Sequence, residues 1–182
     1  MRFPRAPVII FILLFISFPN AARGQDSGAR ATVDGLHLAL LEAMKEAKTV
    51  GYNGRYSRLQ PVVEKSFDLP FIARVSVGRH WNDLDDAQKK RFIETFRELS
   101  FATYASRFDD YSGERFEFVS EKDLGKGRVL VRTGLVKSDG EILRFDYMLH
   151  EAEDGWKIIN VIVDGVSDLS LKRAQYTAIV KD

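Results

Sequence analysis

Apolar residues recur every three to four positions in the first half of the chain and every two in the second. Val33 to Lys48 carries Leu36, Leu40, Leu41, Met44 and Ala47 at helical spacing. Gly51 to Gly54 breaks the pattern, and a second helix is predicted from about Ser57 to Phe67, with Pro61 near its first turn. Asp68 is placed to N-cap a third helix, and Pro70 is tolerated in its first turn. That helix presents Phe71, Ile72 and Val75 and is expected to end near Gly78.

A long helix is predicted from Asp85 to about Asp109. Asp85 with Gln88 has the form of a capping box. Phe92, Phe96, Leu99 and Thr103 share one stripe, and Ile93, Phe101, Tyr104 and Phe108 lie on a second. Together they span roughly half the circumference, where one packed face needs only about 100°. This helix should be covered from two directions.

The second half reads as strands. Glu114 to Ser120 alternates, and Arg128 to Lys137 follows a Gly125-Lys126-Gly127 turn. Glu141 to His150 follows Ser138-Asp139-Gly140, with Leu143, Phe145, Tyr147 and Leu149 on one face and Arg144, Asp146 and His150 on the other. Glu153-Asp154-Gly155 then turns into Trp156 to Val163, WKIINVIV. Strict alternation puts Trp156, Ile158, Asn160 and Ile162 on one face of that strand and Lys157, Ile159, Val161 and Val163 on the other. Both faces are apolar, although a strand with one wet face should alternate. Ser167 is a candidate N-cap for a last helix, with Asp168 at its positive end and Val166 positioned to staple onto Leu171. Helices followed by a four-stranded antiparallel meander and a C-terminal helix make an α+β fold, with the helices on one face of the sheet.

The extreme N-terminus has a different pattern. Arg2 and Arg5 precede an eleven-residue apolar run, Val8 to Phe18. That is short of the roughly 20 residues a spanning helix needs, but it suits a secretory signal. Ala22-Arg23-Gly24 supplies small residues for cleavage after Gly24. The expected organisation is a signal peptide over 1–24, a flexible polar N-terminus over 25–32 and a single domain over 33–182. Removing the signal takes away three arginines and no acid, so the net charge moves from +1 to −2. A mildly acidic chain argues against nucleic acid as partner. With no cysteine in the chain there is no disulfide, no thiol chemistry and no acylated cysteine anchor. Export of a soluble, cysteine-free chain suits a periplasm.

No catalytic constellation emerges. His37, His80 and His150 show no metal-ligand spacing. Asp146 and His150 share a strand face but stand about 13 Å apart along it. Ser167 has no nucleophile-elbow context and Gly125-Lys126-Gly127 no phosphate-loop context. The 13 phenylalanines fit either a solid core or a cavity for an apolar ligand.

The ordered set Phe67-Asp68-Leu69-Pro70-Phe71-Ile72-Ala73-Arg74, Gly78, Trp81, Asp85-Asp86-Ala87-Gln88, Arg91-Phe92, Phe96, Leu99 and Tyr104 resembles the MlaC/Ttg2D family. So does Gly155-Trp156-Lys157-Ile158 with Asp164-Gly165-Val166-Ser167, Arg173 and Tyr176. These are periplasmic phospholipid-binding proteins of the toluene-tolerance Ttg2 type, and the chain is most similar to the hopanoid-biosynthesis-associated HpnM branch. The resemblance covers roughly residues 33–182. It implies an NTF2-like cone with an apolar cavity. It also implies a monomeric, non-enzymatic carrier without cofactor or metal that moves a phospholipid or hopanoid across the periplasm. The implied partners are an inner-membrane ABC transporter with an MCE component and an outer-membrane lipoprotein complex, in the service of outer-membrane lipid asymmetry. Asn160 stands where much of the family is acidic. Family members usually continue into a further C-terminal helical stretch where this sequence stops at Asp182, through truncation or a divergent end, and a missing helix there would leave the cavity more open.

The expected lipid-binding residues are Phe71, Val75, Phe92, Phe96, Tyr104, Phe145, Tyr147, Ile158 and Val161. A carrier needs little beyond area: at about 0.8 kcal/mol per methylene, two chains of about 16 carbons gain on the order of 25 kcal/mol gross. Two other readings stay open. One is an enzyme on the same scaffold, with Asp146, Tyr147 and His150 as candidates. The other is an envelope interaction module with a solid core.

Overall fold

The structure, a computed structural model, describes residues 28–181. The expected signal peptide and residues 25–27 lie outside that range. Helix α1 spans Gly28–Lys45 and begins five residues before the apolar repeat does. Ala29 is fully buried, and the Thr32 hydroxyl donates to the Trp156 carbonyl at 3.2 Å. Gly28 lies so close to the Trp156 ring that a Cβ would meet it at 2.8 Å. Residues 28–32, expected as part of a flexible terminus, are therefore helix docked on the sheet.

Helix α2 (Ala47–Ser66) also differs from expectation. Its single break is Gly51, whose φ of 62° and ψ of −171° suit glycine alone. The helix resumes at once, so Pro61 sits deep inside it rather than near its start. The proline is tolerated because it and Ser57, whose carbonyl loses a donor, are both exposed. Arg55, buried in the same helix, donates from Nε to the Ala105 carbonyl at 2.8 Å and from Nη1 to the Ala47 carbonyl at 3.2 Å.

The next two helices start as the sequence predicts. Helix α3 (Leu69–Val77) is capped by Asp68, whose Oδ1 accepts from the Phe71 N–H at 2.9 Å. It stops at Gly78, where φ turns to 64°. A 3₁₀ turn, Gly78–Asp83, leads to α4 (Asp86–Arg107). The capping box is present: Gln88 N–H donates to Asp85 Oδ1 at 2.8 Å, and Asp85 N–H to Gln88 Oε1 at 2.9 Å. One side of α4 packs on α2, with Phe101 edge-on to Tyr56 and Arg97 paired with Glu64. The other side, with Phe96 and Tyr104, faces the inner face of the sheet.

Five strands follow: β1 (Arg115–Asp123), β2 (Arg128–Val136), β3 (Ile142–Ala152), β4 (Gly155–Val163) and β5 (Val166–Ser167), in that spatial order and all antiparallel. The expected meander of four gains β5, a two-residue strand paired with Ile162 and Val163. Two irregularities shape the sheet. In β4, Ile158 pairs with Leu149 but Asn160 pairs with Met148, so Ile159 is an extra residue. In β1, Phe118 pairs with Thr133 but Ser120 with Arg132, so Val119 is extra. Each bulge flips the alternation of its strand and increases the local twist.

The β4 bulge explains a strand apolar on both sides. Before it, Ile158 shares the inner face with Leu149; after it, Val161 and Val163 share that face with Tyr147 and Phe145. Asn160 and Ile162 fall on the opposite face, contrary to strict alternation from Ile158. Helix α1 crosses the inner face, burying Val33, Leu36 and Leu40 against it together with Val131, Tyr147, Leu149 and Ile158. The chain ends in α5 (Asp168–Lys181), begun as expected by Ser167, whose Oγ accepts from the Ser170 N–H at 3.1 Å. Val166 and Leu171, expected as a staple, remain about half exposed at 53% and 50%.

Candidate functional site

Between the inner face of the sheet and α3, α4 and α5 lies an open cavity of about 640 Å³. The sheet wall is Leu135 from β2, Leu143, Phe145 and Tyr147 from β3, and Val161 and Val163 from β4. Phe96, Leu99, Ser100, Thr103, Tyr104, Arg107 and Phe108 of α4 form the facing wall. Phe67, Leu69 and Ile72, around the start of α3, close the inner end and are nearly inaccessible to solvent. Asp168, Leu171, Lys172, Gln175 and Tyr176 of α5 lie along the rim, where Leu99 and Leu171 are each 50% exposed. The second covering of α4 is thus largely the cavity.

Of the residues expected to bind lipid, Phe96, Tyr104, Phe145, Tyr147 and Val161 line this space. The others lie elsewhere. Phe92 stands behind the wall, its ring 5.9 Å from Tyr176, 6.3 Å from Trp81 and 6.4 Å from Phe96. Phe71 turns away to His150, 5.3 Å between rings, with the Arg74 guanidinium 5.5 Å from its centroid. Val75 is half-buried in α3 off the wall, and Ile158 is wholly buried in the core at the β4 bulge. Sequence reasoning missed the α5 rim, although Asp168, Leu171, Lys172, Gln175 and Tyr176 follow the three-to-four spacing of one helical face.

Two polar features mark the cavity. At the sheet wall, the Tyr147 hydroxyl lies 2.9 Å from His37 Nε2. The imidazole stacks on Phe116 at 3.7 Å, and burial lowers its pKa to about 3. Burial also raises the Tyr147 phenol well above its ordinary value, so both groups are neutral. At the mouth, Lys172 pairs with Asp168. The Tyr104 phenol is raised first by burial, then by the charge of Asp168, with Arg107 acting in the opposite sense. Asn160, on the outer face of β4, accepts from the Leu169 N–H at 3.2 Å and from the Ser167 hydroxyl at 3.1 Å. Its amide oxygen thus joins sheet to rim helix without a charge.

The residues considered for an enzyme do not converge. Asp146 meets Arg132 at 3.6 Å on the outer face, and Tyr147 points inward to His37. His150 Nε2 stands 2.9 Å from Asp68 Oδ2 without hydrogen-bond alignment. Among the described residues no three His, Cys, Asp or Glu side chains are grouped to hold a metal, and no helix is long and apolar enough to cross a membrane.

Helices over the concave face of a bulged antiparallel sheet, with an open apolar cavity between them, define a small container for an apolar ligand. The chain belongs to the MlaC family, whose family model, "MlaC protein", matches residues 35–182. The intermembrane phospholipid transport system binding protein MlaC of Haemophilus influenzae is 26% identical over 106 residues, which is 56% of this chain. The match spans half of that relative, 50% of its length. A phospholipid-binding protein from Ralstonia solanacearum, solved in complex with a phospholipid, shares the fold at a TM-score of 0.72. It is 15% identical, over 85% of this chain and 86% of that one.

Proposed function

We propose that this protein is a lipid carrier, holding the apolar part of one lipid between α4, α5 and the inner face of the sheet. The observation that carries the reading is the cavity itself: about 640 Å³, walled by aromatic and aliphatic side chains and open on one side. That volume lies within the roughly 300–1,000 Å³ of small-molecule sites. Phe96, Tyr104, Phe145, Tyr147 and Val161 are the proposed lipid contacts, with Phe67, Leu69 and Ile72 at the closed end. Phe92 supports the wall from behind. Family membership and the phospholipid in the Ralstonia relative support a phospholipid or similar amphiphile as cargo.

The carrier works in the periplasm after loss of an N-terminal signal, and passes lipid between an inner-membrane ABC transporter with an MCE component and an outer-membrane lipoprotein complex. The name of the Haemophilus relative, an intermembrane transport component, supports this placement. Hopanoid cargo, the specialisation of the HpnM branch, is the narrower form of the proposal. No chemical step is needed, because lipid entry is driven by removal of methylenes from water. The test is organic extraction of purified protein followed by lipid mass spectrometry. One lipid per protein, with hopanoid or phospholipid identified, is expected. Lipid-free protein that also takes up nothing from liposomes would contradict the reading.

A further inference from the structure

The closed end of the cavity is anchored to the sheet through Asp68, which stands between Phe67 and Leu69 in the chain. Asp68 has three contacts. Its N–H donates to the Ile158 carbonyl at 3.0 Å, which ties it to β4. Its Oδ1 caps α3 at the Phe71 N–H. Its Oδ2 stands 2.9 Å from His150 Nε2 on β3. The first two set the backbone path into α3, and the cap needs only one carboxylate oxygen. Neither requires the histidine. His150 Nε2 is nevertheless shut off from solvent without an aligned hydrogen bond, and the two side chains are only 23% and 24% exposed. A buried nitrogen left in that state is costly. Without a proton on Nε2, its lone pair would face a carboxylate. With the ring charged, the contact becomes an ion pair, whose Coulomb attraction tolerates the misalignment.

Other groups around the imidazole are placed as follows. The Phe71 ring of α3 packs on it at 5.3 Å, and the Arg74 guanidinium lies 5.5 Å from the Phe71 centroid. Arg128 on β2 and Lys157 on β4 are its register partners and carry like charge to an imidazolium. Lys157 is itself engaged by Asp154 and by the Lys65 carbonyl, each at 2.8 Å. Glu151, next along β3, falls on the opposite face.

Resting on the carrier reading, we propose that His150 is a positioning residue for the closed end of the cavity, and that its proton sets how firmly α3 is held. As imidazolium it draws Asp68 toward β3, and with Asp68 the wall residues Phe67, Leu69 and Ile72. When the proton leaves, Asp68 keeps its cap and its bond to β4, but α3 loses its side-chain tie to β3 and the wall yields. Helix α3 also packs on α4 and α5, so its hold bears on the whole helical side of the cavity. Imidazoles titrate between about pH 5 and 8. Lipid resting against this wall therefore leaves more slowly at the acidic end of that range and faster at the alkaline end.

The test is the rate at which the full chain releases a fluorescent phospholipid to excess acceptor liposomes at about pH 6 and about pH 8. Wild type should release about threefold or more faster at the higher pH. His150→Gln and Asp68→Asn should each release at the same rate at both, within about 1.5-fold, and near the fast wild-type rate. Asparagine still caps a helix, so Asp68→Asn separates the charge pair from the cap. A second measurement needs no lipid and no variant: amide hydrogen-exchange protection of Ile72 and Ala73 in α3, taken relative to Phe101 in α4. That ratio should fall about threefold or more between the two pH values in the lipid-free wild type. Release independent of pH, or a pH dependence kept in both variants, would overturn the role of His150 while lipid binding upholds the carrier reading. If no phospholipid binds, the carrier reading falls, and the exchange ratio alone decides for or against His150: a fall supports the tie to α3, and a constant ratio overturns it.

Discussion

His37 lies in α1 beneath the sheet, stacked on Phe116 and joined to the Tyr147 hydroxyl, with its pKa lowered by burial to about 3. In the unfolded chain the imidazole titrates near 6.5. Between those values the unfolded state binds a proton that the folded state refuses, so stability rises with pH across the window. Acidifying from about 6.5 toward 3 should therefore destabilise the protein, by as much as about 1.4 kcal/mol per pH unit from this group. Urea unfolding between pH 7 and 5, above most carboxylate titrations, isolates the effect. Replacing both partners, His37→Phe with Tyr147→Phe, should flatten that slope; an unchanged slope would show that another group carries it. Tyr147→Phe alone leaves His37 Nε2 buried without its partner and should cost about 1–3 kcal/mol.

None of this pairing was legible beforehand. His37 and Tyr147 are 110 positions apart, and only the packing of α1 across the sheet brings them together. Asp68 was different: its cap is local, and the residue type and the proline after it were enough to place it.

At the scale of elements, helix starts were readable wherever a side chain closes on its own backbone, as at Asp68, Asp85 and Ser167. Strand faces were readable only as far as the nearest bulge. The face Leu143, Phe145, Tyr147 and Leu149 of β3 holds because β3 has no extra residue relative to β2. Strict alternation fails in β4 because Ile159 is inserted into the ladder, and nothing in WKIINVIV marks which isoleucine is surplus. The α2 break is shorter than the sequence pattern predicts for a related reason: of Gly51 and Gly54, only Gly51 leaves helical geometry. Arg55 shows how the helices are tied. Its guanidinium joins α2 to carbonyls at the end of α4 and the start of α2 itself. Arg55→Met should remove those bonds and cost about 2–3 kcal/mol, read as a lower urea midpoint at unchanged slope. A loss within about 0.5 kcal/mol would mean that the α4 wall is held by packing alone.

Across the whole molecule, the two outer long strands, β1 and β4, each carry one bulge, while the pairing of β2 with β3 between them is regular. Bending both sides of the sheet gives it the concave face that α1 fills at one end and the cavity occupies at the other. The wide apolar arc of α4 and the two apolar faces of β4 gave the sequence its hint of a space to be filled. They could not show that α5 forms its rim, because that helix contributes no fully buried side chain among its described residues. The central claim is that lipid occupies this space. Its most direct test is uptake of radiolabelled phospholipid from liposomes by the wild type and by a variant filled from opposite walls, Ser100→Phe with Val161→Phe. Both positions are half-buried on the cavity surface, so the added rings take cavity volume. The account predicts near-stoichiometric uptake by the wild type and a loss of about tenfold or more in the variant, with circular dichroism unchanged. Equal uptake by the two proteins would contradict it.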